Sequence, residues 1–300
     1  MALFHAGTGM ILEVLAAPLR THDMSRVAQL HPQLRAGDLL VADRGFCSFV
    51  HLALLCQRGV HGLLRIHQKR IVDFTSGRPH VIPGKDTNHR VQGKPRSEWI
   101  RRLGATDQIV RWYKPPICPA WLAAAQFAAL GDSLEVRELR YRVGRKGFRV
   151  ETVTLVTTLL DADVYTVAKL TGLYFARWRI ETNFAHLKTT MGLDVLKCKT
   201  VDGVLKELMV FALVYNLVRL VMIEAAGRQK VDVERISFID ASRWLTAAYV
   251  GEPLSRLVVN PHRPNRYEPR VCKRRPKEYT MMTKARTELR KSLTAKPDSD

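Results

Sequence analysis

The sequence predicts an α/β protein: a mixed sheet with flanking helices, interrupted by a β-rich insertion. Three stretches carry that expectation. Leu39 to Ala42 is a continuous apolar run, as a strand covered on both faces requires. Glu151 to Leu160 (ETVTLVTTLL) is rich in β-branched residues and reads as a second core strand. Leu173, Ile180, Phe184, Leu187 and Met191 recur at helical spacing and form one apolar stripe.

Taken in order, residues 2–16 hold two short apolar segments joined by Gly7-Thr8-Gly9, a β-hairpin pattern. Met24 to Leu34 has helical spacing, and Gly37 precedes the strand Leu39 to Ala42. Asp43 stands where that strand stops, the place where ligand groups gather in open α/β sheets. The same acid also suits a cap for the helix beginning near Ser48. Phe49 to Arg58 reads as that helix and Gly62 to Ile66 as a short strand.

From residue 72 to 150 the helical period disappears and prolines punctuate the chain, from Pro79 to Pro119. Gln108 to Tyr113 and Leu134 to Val143 read as strands, followed by a GRKG turn and a further strand from Phe148. Asp161 and Asp163 offer N-cap chemistry for one long helix carrying Tyr174 to Lys188, stopped at Gly192. Val201 to Ala226 reads as a second helix, apolar nearly all round and therefore buried. The segments are thus 1–71 and 151–226 for the two parts of the core, 72–150 for the insertion, 227–260 for a helical segment and 261–300 for a tail. That tail holds 12 Lys or Arg against 5 acids and reads as a mobile basic arm.

The chain carries a formal charge of +20 and a pI near 10.1, which predicts an anionic polymer as partner. The apolar run Leu208 to Ile223 is interrupted by Asn216 and Arg219 and reads as too short to span a bilayer. Residues 1–20 lack a secretory pattern. The 5 cysteines are scattered without a Cys-x-x-Cys pair, as cytosolic thiols would be.

In Tyr174–Lys188, 100° steps put Arg177, Glu181 and Lys188 at roughly −60°, −20° and −40° from Tyr174, so four polar side chains share one stripe. Spacing alone also fits a solvated Arg–Glu pair. The order Arg177 then Glu181 is the less favourable one for helix support, and the stripe borders the apolar face, where an idle charge is costly. A carboxylate beside fixed cations suits joint binding of a metal and a phosphate chain.

The order of elements resembles a ribonuclease H-like fold with an insertion, its first strand missing. The spacing of Tyr174, Arg177, Glu181 and Lys188 resembles the hallmark of DDE transposases of the insertion-sequence-four type. The segment LLVADRGF resembles the region around their second catalytic acid. The resemblance implies DNA cleavage and strand transfer at insertion-sequence ends. Asp43 and Glu181 would bind magnesium or manganese, and Tyr174, Arg177 and Lys188 would hold DNA phosphates. Trp112 is the candidate for stacking on a flipped base. The implied partners are double-stranded DNA and a second subunit, in a homodimer or a heterodimer with a full-length transposase, in the bacterial cytoplasm at the nucleoid, with no membrane. The family pattern needs three acids. Asp23 follows the hairpin and Asp38 precedes its strand, so neither fits the first position. The expectation is therefore an N-terminally truncated, catalytically impaired copy with weak metal binding. The alternative is a non-catalytic fragment that binds DNA or transposase and inhibits transposition.

Overall fold

A computed structural model describes residues 1–18, 20–82, 93–143 and 151–261, with residues 287, 288 and 291. Residues 1–145 and 149–264 form one compact unit. The GRKG turn, the start of the strand expected from Phe148, part of the cationic stretch from Lys85 and nearly all of the basic tail lie outside the described residues.

The hairpin forms as β1 (Ala2–Phe4) and β2 (Ile11–Val14), antiparallel and separate from the main sheet. The expected helix over Met24–Leu34 is instead two 3-10 turns, Asp23–Ser25 and Val27–Gln33, with Pro32 inside the second. Proline lacks the amide a regular α-helix would use there, and its ring crowds the preceding turn. Strand β3 (Leu39–Ala42) runs parallel to β4 (His61–Arg65), with α1 (Phe49–Gln57) as the crossover. Ser48, not Asp43, caps α1 by accepting from the His51 amide at 3.1 Å.

The insertion contributes β5 (Ser97–Gly104), β6 (Asp107–Tyr113), α2 (Ala124–Ala128) and β7 (Ser133–Val143). With β8 (Glu151–Thr157) they extend the core sheet into six strands ordered β3-β4-β8-β7-β6-β5. All neighbours are antiparallel except β3 and β4. The sheet is mixed and covered on both faces. Leu64, Val110, Trp112, Val136 and Val156 meet α1 on one side. Leu63, Leu139 and Leu155 meet Leu170 and Tyr174 of α3 (Val167–Ala176) on the other. The pleat explains why Leu63 and Leu64 are both fully buried, each worth about 2 kcal/mol. Gly62 lets α1 approach, because a Cβ there would lie 2.5 Å from Leu52 Cδ2.

β3 ends the sheet and pairs on one side only, so it and the hairpin share no intervening strand among the described residues. The hairpin packs instead on α5 (Val201–Gln229), joined by α6 (Phe238–Ala247). Asn216 takes a backbone partner's place: the Ile11 amide donates to its Oδ1 at 2.8 Å, and its Nδ2 donates to the Ile11 carbonyl at 2.9 Å. Tyr215 donates to the Gly9 carbonyl at 3.0 Å and Arg219 Nε to the Thr8 carbonyl at 2.8 Å. Gly9 has φ +70°, and a Cβ there would lie 2.4 Å from the Arg219 guanidinium.

Two expectations for the helices need correction. The helix expected to hold Tyr174 to Lys188 is divided into α3, α4 (Arg179–Ala185) and a π-turn over His186–Thr190. Thr166 caps α3, while Asp161 closes the preceding turn by accepting from the Asp163 and Val164 amides. α5 is buried on one face only: Tyr215, Val218, Arg219 and Met222 point inward, while Val210, Leu213 and Leu217 are exposed. At 29 residues it is also long and apolar enough to cross a bilayer by length and composition, contrary to the estimate from residues 208–223.

Candidate active site

Strands β3 and β4 are parallel with Ala42 opposite Leu64, so Asp43 and Arg65 leave the sheet at the same end. Asp43 adopts an extended conformation and caps the short 3-10 turn Arg44–Phe46, accepting from the Arg44 amide at 2.8 Å. That turn is pinned from below. His51 Nδ1–H donates to the Phe46 carbonyl at 2.8 Å, and the Phe46 amide donates to the Asp43 carbonyl at 3.0 Å. His31 stacks on His51 at 5.1 Å between ring centroids, and burial pushes each imidazole down to about 4.

α3 crosses β3 and β4 and delivers Tyr174 to the same strand ends. Its hydroxyl donates to Asp43 Oδ1 at 3.3 Å, so residues 131 apart in sequence meet. Burial first, with Asp43 adding to it and Arg177 opposing, pushes the Tyr174 hydroxyl up to about 12. It therefore stays protonated at neutral pH and acts as a donor. The Arg177 guanidinium lies 5.3 Å from the Tyr174 ring centroid and 5.4 Å from that of Trp178. Its Nε is buried without a hydrogen-bond partner among the described residues. Arg65 also bears on Tyr174, opposing the rise of its hydroxyl. Nothing in the sequence singles out Arg65, which lies inside the strand expected over Gly62–Ile66 and is the last residue of β4.

Glu181 and Lys188 are placed differently from the single stripe expected. The chain tightens after α3, with i to i+3 hydrogen bonds at Arg177, Trp178, Ile180 and Glu181, then widens into the π-turn. A 3-10 turn advances about 120° per residue rather than 100°, so positions beyond Trp178 rotate away from the Tyr174 line. Tyr174 is buried; Glu181 and Lys188 are exposed. The Glu181 carboxylate makes no hydrogen bond or ion pair among the described residues, and Lys188 Nζ lies 5.5 Å from the Phe184 ring centroid. Tyr174 thus touches Asp43 on one side and Arg177 on the other, with Glu181 and Lys188 about one and three turns past Arg177.

Trp112 requires correction as a stacking platform. Its ring is fully buried among Val110, Leu122 and Val136, with the Arg70 guanidinium 3.5 Å above the ring centroid. Its Nε1 donates to Glu138 Oε1 at 2.9 Å, and Gln108 donates to the other carboxylate oxygen at 2.9 Å. Burial raises the Glu138 carboxyl. The indole is therefore a structural partner of a buried acid, with both faces covered.

The donors fit a hard divalent cation in type. Both side-chain hydrogen bonds of Asp43 fall on Oδ1, which leaves Oδ2 to a further ligand, and the Glu181 carboxylate is solvent-facing. Among the described residues no three His, Cys, Asp or Glu side chains gather as a metal cluster.

Comparison with known proteins gives the same frame. The transposase DDE domain family matches residues 1–217. The chain is also 31% identical over 201 residues to transposase InsG for insertion sequence element IS4 of Escherichia coli (strain K12). That alignment takes in 61% of this chain but 43% of the relative, so the chain spans less than half of the relative's length. A match over residues 1–217, joined to a mixed α/β sheet that sets Asp43 beside Tyr174, means that this chain belongs to the DDE transposase family, of the insertion-sequence-four type.

Proposed function

We propose that the chain binds double-stranded insertion-sequence ends and carries the family's metal-dependent phosphodiester displacement at the Asp43 strand end. The observation that carries this reading is the Tyr174–Asp43 contact, which joins the strand-end acid to α3, the helix that leads through Arg177 into α4 and Glu181. Asp43 and Glu181 would hold magnesium or manganese, which would supply activation of an attacking oxygen and neutralisation of the leaving one. The residues of the chain do the positioning. Tyr174, as a protonated donor, orients the Asp43 carboxylate. Arg177, stacked on Tyr174 with a buried unpartnered Nε, offers a directed donor to a phosphate oxygen. Arg65, beside Tyr174, and Lys188, further along the chain, would add positive charge. Positioning and charge neutralisation account for most of the catalysis in phosphoryl chemistry.

A second reading has a specific observation behind it. Asp43 already commits one oxygen to Tyr174, and Glu181 makes no hydrogen bond to either, so binding without efficient strand transfer is the alternative. In that reading the chain inhibits an active transposase by occupying its ends or its subunits. Purified protein incubated with supercoiled DNA carrying the element's ends, with magnesium or manganese, separates the two. Metal-dependent nicking lost in both Asp43→Asn and Glu181→Gln supports the first. DNA binding without nicking, together with depressed transposition when mixed with active enzyme, supports the second. Absence of DNA binding at moderate salt overturns both.

A further inference from the structure

The outward face of α5 is an apolar surface that the DNA chemistry leaves unused. Val210, Leu213, Leu217 and Leu220 are 58%, 60%, 41% and 48% exposed, opposite the buried Tyr215 and Met222. Stepping 100° per residue from Lys206 places Val210, Leu213, Leu217, Leu220 and Glu224 within about 40° of one line. Their spacing alternates four and three, the period of a helix–helix seam rather than of scattered surface residues. Asp202 and Arg228 extend the same line at its two ends, about 39 Å apart along the helix axis.

The order of charges along this line determines what fits it. From one end it reads acid, base, apolar centre, acid, base: Asp202, Lys206, the apolar residues, Glu224, Arg228. A second copy laid antiparallel about a two-fold axis level with residue 215 brings Asp202 to Arg228 and Lys206 to Glu224. Val210 then meets Leu220, and Leu213 meets Leu217. Both charge pairs are opposite in sign, and each occurs twice by symmetry. Parallel pairing in register sets every charge against its like. Asp202 and Lys206 have no ion pair among the described residues, whereas Glu224 and Arg228 pair within the helix at 2.7 Å. A bilayer fits less well, because the exposed large apolar residues of this face, from Met209 to Leu220, span about 18 Å against the ~30 Å hydrocarbon core. DNA fits less well still, since the centre of the face carries no cation.

We propose that α5 is the homodimer interface of this chain, paired antiparallel with α5 of a second copy through Leu213 and Leu217. The pairing does not depend on the DNA chemistry above and is measured without DNA or metal. Sedimentation velocity on the whole chain should show a concentration-dependent dimer at micromolar protein. Leu213→Lys with Leu217→Lys should yield a monomer with an unchanged far-ultraviolet circular dichroism spectrum, because both side chains face outward. Lys206→Glu alone and Glu224→Lys alone should each weaken dimerisation about tenfold by placing like charges opposite one another. Mixing those two single variants should restore the dimer, since every acid at one of these positions then faces a base on the other chain. A chain that stays monomeric at high micromolar concentration overturns the proposal. So does a dimer indifferent to the leucine changes, failure of the mixed variants to recover, or a monomer captured by phosphatidylcholine vesicles.

Discussion

Replacing Asn216 by leucine removes the two hydrogen bonds that hold β2 while keeping the side chain branched at Cγ. The Ile11 amide and carbonyl lose partners at 2.8 Å and 2.9 Å, and Ile11 is 7% exposed, so water replaces them poorly. Each buried group left unpaired costs about 1–3 kcal/mol, and the edge position of β2 favours the lower half of that range. The expected loss is therefore about 2–4 kcal/mol in urea unfolding. The loss should be local first, because an isolated two-stranded hairpin is marginal in water. Hydrogen exchange at the Ile11 amide should accelerate more than exchange at Leu63 or Leu155 in the main sheet. An Asn216→Leu protein whose stability lies within about 0.5 kcal/mol of the parent, with Ile11 still protected, would refute the clamp.

Gly9→Ala should destabilise by about 2 kcal/mol or more in the same assay, since the new Cβ meets Arg219 and φ is +70°. His51 is held neutral at about 4 while the unfolded chain titrates near 6.5, so the unfolded state binds more protons between those values. Stability should be flat above pH 6.5 and fall by roughly 3 kcal/mol for this group as pH drops toward 4, and His51→Gln should flatten that fall. Tyr174→Phe keeps the buried ring and loses a long hydrogen bond to a carboxylate, for about 1 kcal/mol by urea unfolding. It should also loosen binding of DNA ends more than binding of unrelated duplex, which gel-shift competition measures.

Asp43 was legible because a four-residue apolar strand stops at it, and chain geometry at a strand end needs no distant partner to interpret. Tyr174 and Arg177 were legible in position but not in environment. A wheel drawn at a constant 100° assumes one uniform helix, and the hydrogen bonding at Trp178 and His186 departs from it in opposite senses. Trp112 was misjudged for a different reason. In β7 the alternation VRELRYRV marks two faces, and both are covered: Val136 and Glu138 are buried on one, Arg137 and Leu139 on the other. An acid there looks like a solvated residue until the strand pairing shows Trp112 and Gln108 donating to it. The hydrophobic content of α5 likewise cannot distinguish a buried helix from one with an unpaired apolar face.

The two halves of the candidate site differ in how they are held, and the difference follows from burial. Asp43 is constrained on three sides: by the turn that His51 anchors, by the Tyr174 hydroxyl, and by the sheet itself through Ala42. Each constraint comes from side chains packed between the sheet and a helix, where rearrangement costs several buried contacts. Glu181 and Lys188 lie beyond the tightened turn, exposed and without such anchors. A cation shared by the two carboxylates would therefore be met by a fixed acid from the sheet and an adjustable one from α4. Under the proposed reading the ordering cost would fall on α4, and a DNA phosphate held at Arg177, just before α4, would reduce it.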